Sequence, residues 1–179
     1  ILFGAVGDPN IPDHITLQGL LLPMRRAFDQ GICIRPAYLY PGVTSPLAGK
    51  EAGEIDLVIF RENTEGEYAP VGGRLYPGTP HETVMQTNVF TRRGTERIIR
   101  AAFEHCVKRN KKNLVTSVTK SNAQGFGMVF WDEVFGAVAK DYPNTKTESL
   151  LVDRVAMDLV RWPEEFDVMV ASNLFADII

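Results

Sequence analysis

Ile55-Asp56-Leu57-Val58-Ile59-Phe60, followed at once by Arg61-Glu62-Asn63, is a compact apolar run of strand length that ends in charge. In an open parallel sheet, ligands collect beyond the carboxyl ends of the strands, so this run predicts both a buried sheet and a place for chemistry. The pattern recurs along the chain. Residues 114–119 read as a strand followed by Lys120, residues 150–152 end another that delivers Asp153, and residues 166–171 form a third that leads through Asn173-Leu174-Phe175 to Asp177. Between the strands, apolar residues return with helical period. Ile98, Ile99, Ala102, Phe103 and Cys106 mark a helix from Arg93 to Arg109, and Met128, Trp131, Val134, Phe135 and Val138 mark a second that Pro143 closes. Residues 17–29 read as an earlier helix, with Leu20, Leu21, Met24 and Phe28 on one stripe and Arg25 and Arg26 beside it. The Gly-, Pro-, Thr- and His-rich residues 69–83 read as a long loop or extended arm, and residues 83–91 as a strand able to form one side of a hairpin. The alternation predicts an α/β fold, a parallel or mixed sheet with flanking helices.

Composition narrows the class. The chain has 179 residues, 45% of them hydrophobic, enough to bury a core and to exclude disorder as the dominant state. Lys and Arg number 19 against 22 Asp and Glu, a formal net charge of −3 with the three His neutral. The basic residues are scattered, without the stripe a phosphate backbone requires, so no nucleic-acid partner is expected. No apolar run approaches the roughly 20 residues needed to cross a bilayer, so no membrane partner is expected either. Cys33 and Cys106 are far apart in sequence and make neither a disulfide framework nor a metal pair, which fits a reducing, cytoplasmic compartment. His14, His81 and His105 are isolated and read as structural, and the Met and aromatic stripe at 128–138 reads as core or dimer packing. The chain opens on Ile1-Leu2-Phe3-Gly4 and stops in an apolar segment at Asp177-Ile178-Ile179; it reads as an internal piece of a longer protein.

Polar or charged residues of catalytic type, Arg61, Lys120, Asp153 and Asn173, follow four of the strands. Each alone is an ordinary strand end; the recurrence is what points to a site. Arg25, Arg35 and Arg61 add a second signal. Three guanidinium groups that converged would repel one another unless anions compensated them, and Arg suits bidentate carboxylate binding. A di- or tricarboxylate would satisfy them, and scattered surface Arg is the alternative.

Arg25 followed by Ile34-Arg35-Pro36, then Arg61-Glu62-Asn63-Thr64-Glu65-Gly66-Glu67-Tyr68, Thr119-Lys120-Ser121-Asn122, Val152-Asp153 before Ala156-Met157, and Asn173-Leu174-Phe175-Ala176-Asp177 resembles the isocitrate and isopropylmalate dehydrogenase family of β-decarboxylating dehydrogenases. The likeness is ordered and covers essentially the whole chain. Gly7-Asp8-Pro9, Pro12-Asp13-His14, Gly42-Val43-Thr44-Ser45-Pro46-Leu47 and Gly72-Gly73-Arg74 are most similar to its tartrate and D-malate dehydrogenase branch. The resemblance implies that Arg25, Arg35 and Arg61 grip the substrate carboxylates, that Tyr68 protonates the enol, and that Lys120 is the base, acting through a water. It implies that Asp153 and Asp177 are metal carboxylates and that Asn122 approaches the nicotinamide of NAD. It further implies a homodimer with shared active sites, in which Lys120, Asn122 and Asp153 serve the partner's site and residues 69–83 clasp the subunits. Residues 1–30 would belong to a nucleotide-binding domain, and residues 31–179 mainly to a small, dimer-forming domain.

The chemistry accounts for such a cast. Oxidising a 2-hydroxy acid needs a base for the hydroxyl proton and a hydride acceptor that no side chain supplies, hence a nicotinamide. The β-carboxyl ketone loses carbon dioxide when its carbonyl is polarised by a divalent cation, and carboxylate ligands point to Mg²⁺ or Mn²⁺. Lys120 would serve as a base if burial or neighbouring positive charge lowered its pKa. Leu21 lies one turn before Arg25, where a third substrate carboxylate would need polar groups; this disfavours isocitrate and leaves 3-isopropylmalate open, and it is the resemblance to the tartrate and D-malate branch that implies D-malate or tartrate. A non-catalytic regulatory subunit is the rival, against which Tyr68, Lys120, Asp153 and Asp177 all stand. The chain departs from the branch at Gln18, where Trp is usual, at Cys33 for Asn, and at Ala176 for Gly. It also ends before a second carboxylate expected one helical turn past Asp177 and before the adenine-binding loop.

Overall fold

A computed structural model describes residues 7–179, so the first six residues of the segment 1–30 lie outside the described residues. The central sheet has five strands, β1 (Ile32–Tyr38), β2 (Asp56–Glu62), β5 (Leu114–Thr119), β6 (Lys146–Leu151) and β7 (Val168–Ala171). They lie in the order β1-β2-β7-β5-β6. Strand β1 is antiparallel to β2, with Arg35 opposite Ile59, and the other four strands run parallel to one another. Strand β2 is buried along nearly its whole length, Leu57, Val58, Ile59 and Phe60 each exposing 7% or less. That is the unbroken apolar run expected of a strand covered on both faces.

Helix α3 (Arg92–Arg109) begins where Thr91 accepts a hydrogen bond from the Gly94 amide, and it ends at Asn110 in the left-handed region. Its stripe Ile98, Ile99, Ala102, Phe103 and Cys106 is fully buried. Helix α4 (Gly127–Ala139) buries Met128, Trp131, Val134, Phe135 and Val138, and the Trp131 indole donates to Ser117 Oγ on β5 at 3.0 Å. Helix α5 (Val152–Arg161) returns the chain from β6 to β7. Right-handed crossovers place α3 and α4 on one face of the sheet and α5, whose connection runs the other way, on the opposite face. The packing agrees: α3 and α4 lie on each other and on β2, β7 and β5, and α5 on β5 and β6. A separate hairpin, β3 (Gly72–Leu75) with β4 (Thr83–Gln86), stands on the exposed side of the chain.

Several boundaries differ from the sequence expectation. The strand expected at 83–91 stops at Gln86, because β3 offers only four residues to pair with. Val152 begins α5 instead of ending a strand, and so Asp153 sits in that helix's first turn. The early helix is α1 (Asp13–Thr16), a π-helical turn Leu17–Leu21, and α2 (Leu22–Ala27). The wider π turn rotates its side chains off the assumed 3.6-residue stripe: Leu22 is buried, while Leu20 and Phe28 are 53% and 68% exposed.

At the amino ends of the parallel strands, Arg109 Nε donates to buried Asp167 at 2.8 Å and its Nη2 to Asp56. The Lys112 amide donates to Asp167 Oδ2 at 3.0 Å. These bonds tie β2, β7 and the approach to β5 together along the rim opposite the candidate site.

Candidate active site

Because β2, β7, β5 and β6 are parallel, their carboxyl ends share one rim. Arg61, Asn173, Lys120 and Asp153 all lie along it. Arg35 comes to the same side from β1, and the early helix supplies Arg25.

A cleft of about 220 Å³ is lined by Leu17, Leu21, Leu22, Arg25, Arg35, Arg61, Tyr68 and Asp177. The three arginines named from the sequence therefore face one space. Arg61 is almost wholly buried; its Nε and Nη2 both donate to Asn173 Oδ1, at 3.0 and 2.6 Å, and its Nη1 pairs with Asp177. Arg35 donates to the Ala176 carbonyl at 2.7 Å and to Asp177 Oδ1 at 2.9 Å. Tyr68 donates its hydroxyl to the other oxygen, Asp177 Oδ2, at 2.7 Å, and its ring lies 5.7 Å from the Arg61 guanidinium. Burial raises the Tyr68 phenol above its ordinary pKa, and the Asp177 carboxylate adds to this against the opposing Arg61. Burial would also raise the Asp177 carboxyl, but hydrogen bonds from Tyr68 and Arg35, with the Arg61 charge, outweigh it and hold that carboxyl below the usual range. For Arg61, burial lowers the pKa; Asp177 opposes, and Arg35 and Arg25 add to the lowering.

Lys120 and Asp153 make a separate ion pair at 2.5 Å, at the ends of β5 and β6. The lysine holds the Asp153 carboxyl below its ordinary range through that hydrogen bond. Asn122 is exposed in the turn that follows. Neither Lys120, Asn122 nor Asp153 lines the arginine cleft. With strands about 4.8 Å apart, β5 lies two strands from β2, so Lys120 stands about 10 Å along the rim from Arg61. Among the described residues, no group of three or more His, Cys, Asp or Glu side chains gathers as a cation site. His105 packs its ring against Phe60 at 5.1 Å.

The loop between β2 and Tyr68 is anchored by its own acids. Buried Glu62 accepts from the Thr64 amide and hydroxyl and from the Glu65 amide. Glu65 accepts from the Thr91 amide and hydroxyl at the start of α3. Gly66, at φ +79°, pairs its amide with the Val89 carbonyl in a conformation that L side chains rarely adopt. Arg97 spans from α3 to Asp29 at 2.8 Å and to Thr64 at 3.2 Å. Sequence reasoning assigned no part to these acids, to Leu17 in the cleft wall, or to Arg26, which donates to the Tyr68 carbonyl at 3.2 Å. In the sequence Asn173 is only a strand end, and nothing there marks it as the residue that holds Arg61.

The cleft at the carboxyl rim of the sheet thus gathers three guanidinium groups, a phenol and a carboxylate, an arrangement that suits a small polyanion. The sequence matches the description "Isocitrate/isopropylmalate dehydrogenase" over residues 1–179, and the chain belongs to that family. Among curated relatives, the D-malate dehydrogenase [decarboxylating] of Escherichia coli (strain K12) is 53% identical over 100% of this chain and 50% of its own length. The tartrate dehydrogenase/decarboxylase of Pseudomonas putida is 48% identical over 100% of this chain and 49% of its own. The chain thus spans about half the length of the curated relatives it matches. Among solved structures, isocitrate dehydrogenase from Methylococcus capsulatus superposes with a TM-score of 0.79 at 33% identity, covering 89% of this chain and 45% of that one.

Proposed function

We propose that this chain is the central part of an NAD- and divalent-metal-dependent dehydrogenase that oxidatively decarboxylates a small 2-hydroxydicarboxylate, D-malate or tartrate. The observation that carries this reading is the cleft in which Arg25, Arg35 and Arg61 face Tyr68 and Asp177. Three fixed cations in so small a space match two carboxylates, and the planar forks of Arg suit them. The leucine wall leaves no polar group for a third carboxylate. That same wall supports a second reading, 3-isopropylmalate, whose alkyl branch it could meet.

Asp177 and Asp153 present hard oxygen donors at partly and largely exposed positions, a donor set that fits Mg²⁺ or Mn²⁺. A metal held there would supply the Lewis acidity that polarises the carbonyl of the oxidised substrate. Exposed Asn122 is the amide we assign to NAD, which accepts the hydride. The chain's own residues do the rest. Arg25, Arg35 and Arg61 bind and orient the carboxylates. Lys120 takes the hydroxyl proton through a water, and Tyr68, kept protonated by burial and by Asp177, delivers a proton to the enolate carbon.

Lys120, Asn122 and Asp153 are missing from the lining of the arginine cleft of their own chain. This supports a homodimer in which Lys120, Asn122 and Asp153 complete the partner's site. The apolar side chains of Phe126, Val129, Met157, Val160 and Trp162, exposed on and beside α4 and α5, together with Val84 and Met85 of the hairpin, are the surface we assign to that contact. We assign residues 1–30 to the nucleotide-binding domain and residues 31–179 mainly to the small domain.

The test is NADH formation by the full-length protein with Mn²⁺ across D-malate, L-tartrate, 3-isopropylmalate and isocitrate. Preference for malate or tartrate, abolished by Lys120→Ala, is the expected result. Preference for isopropylmalate moves the assignment to the second reading, and turnover of none overturns it.

A further inference from the structure

We infer that Glu67 is a positioning residue for this reaction, because its buried carboxylate ties the loop carrying Tyr68 to the turn carrying Asn173 and Asp177. The inference rests on the function proposed above and extends it to a residue that touches neither substrate nor metal.

Glu67 is 9% exposed. One carboxylate oxygen accepts from Ser172 Oγ at 2.7 Å and the other from the Leu174 amide at 3.1 Å. Among the described residues, no ion pair reaches it. A buried carboxylate without a cation is costly unless directional hydrogen bonds compensate, and here both of its oxygens are used to hold one turn. The bonds close a ring. Glu67 holds the Leu174 amide, the Asp177 amide donates to the Leu174 carbonyl at 3.0 Å, Asp177 Oδ2 accepts from the Tyr68 hydroxyl at 2.7 Å, and Tyr68 is the next residue after Glu67. A second tie runs beside it, from Asn173 Nδ2 to the Glu65 carbonyl at 2.9 Å, while Asn173 Oδ1 holds Arg61. The arginine therefore keeps its own anchor when Glu67 is removed, whereas the loop carrying the phenol loses its carboxylate tie to the turn that carries Asp177.

The consequence is specific to one step. The phenol is needed only after hydride has left the substrate and carbon dioxide has departed with the C–C electron pair passing into the enolate. In Glu67→Ala, kcat should fall by about 10- to 100-fold, the scale of a roughly 1 Å misplacement. KM for the dicarboxylate should fall in step with kcat, leaving kcat/KM within about threefold of the parent, because the steps up to loss of carbon dioxide are intact and Arg61 is held independently. Rapid mixing should show a burst of reduced nicotinamide followed by a slow steady state. Glu67→Gln, whose amide oxygen can accept from Leu174 while its NH₂ donates to Ser172 Oγ, should recover activity to within about threefold of the parent.

The experiment is stopped-flow and steady-state kinetics of the full-length parent, Glu67→Ala and Glu67→Gln, with amide hydrogen exchange at Leu174 in each. Faster exchange in the Ala variant alone, together with the burst and the Gln rescue, supports positioning. Unchanged kcat in Glu67→Ala, a Gln variant as impaired as Ala, or kcat and KM worsening together without a burst overturns it. Exchange at Leu174 that does not respond to Glu67→Ala overturns the tether itself. A parent that reduces no nicotinamide overturns the proposed reaction and with it this role, while the exchange data still report on the tether.

Discussion

Replacing Arg61 by lysine keeps the charge and removes the fork, which makes it a sharp probe of the cleft. Arg61 serves two acceptors from different nitrogens: Nε and Nη2 converge on Asn173 Oδ1 at 3.0 and 2.6 Å, and Nη1 reaches Asp177. A lysine ammonium is a single point and can reach one acceptor or the other. The lost partner is a hydrogen bond to a charged group, worth about 1.5–3 kcal/mol. A substrate carboxylate would likewise change from forked to single-point contact, at a similar cost. At 1.4 kcal/mol per tenfold, kcat/KM should fall by roughly 10- to 150-fold even where the site is otherwise intact. The assay is steady-state NADH formation by the full-length enzyme on its preferred dicarboxylate, with thermal unfolding measured in parallel. Arg61→Lys within twofold of the parent refutes the argument that fork geometry matters. A loss accounted for by the folded fraction alone shows that Arg61 acts only through stability.

Phe103, fully buried and stacked on Tyr142 at 4.8 Å and near Phe135 at 5.5 Å, should cost about 3–5 kcal/mol when cut to alanine, read by chemical denaturation. Ser117→Ala should cost about 1–3 kcal/mol by stranding the buried Trp131 N–H, whereas Ser117→Ala combined with Trp131→Phe should cost less than the sum of the two single changes, and additive costs would refute the pairing. Burial pushes the Cys106 thiol up to about 11, so only about one molecule in a thousand is thiolate at pH 8. Iodoacetamide should therefore label half-buried Cys33 in the native protein and Cys106 only on unfolding, as peptide mass spectrometry would show.

The parallel sheet was legible because burial on both faces leaves a mark that short windows can carry: Leu57, Val58, Ile59 and Phe60 form an apolar run with charge after it. Helix α3 was legible for the same reason, its stripe from Ile98 to Cys106 matching the period of a straight α-helix. The early helix was misread on Leu20 and Phe28 because a π turn changes the angular step per residue, which a fixed period does not register. The arginines were visible as candidates, since Arg suits carboxylates and all three fall within the ordered likeness to a known family. Their mutual arrangement was not, because it depends on which strands become neighbours, and β7, last in the chain, inserts between β2 and β5. That insertion brings Asn173 beside Arg61 across 112 positions of sequence. The tethers from Glu62, Glu65 and Glu67 were hidden in plain view: acids in a loop look solvated until the loop is seen to be folded under itself.

The ion-paired rim at the amino ends of the strands gives an engineer a separate handle. Arg109, Asp56 and Asp167 brace the sheet from the side that carries none of the candidate chemistry, so changes there should move thermal tolerance without retuning substrate choice. The neighbouring turn from Glu51 to Glu54, exposed and bonded mainly to itself, is the natural place to splice in a fluorophore tag or a surface-attachment peptide. An immobilised or labelled version built on that turn would keep its reactive rim facing outward.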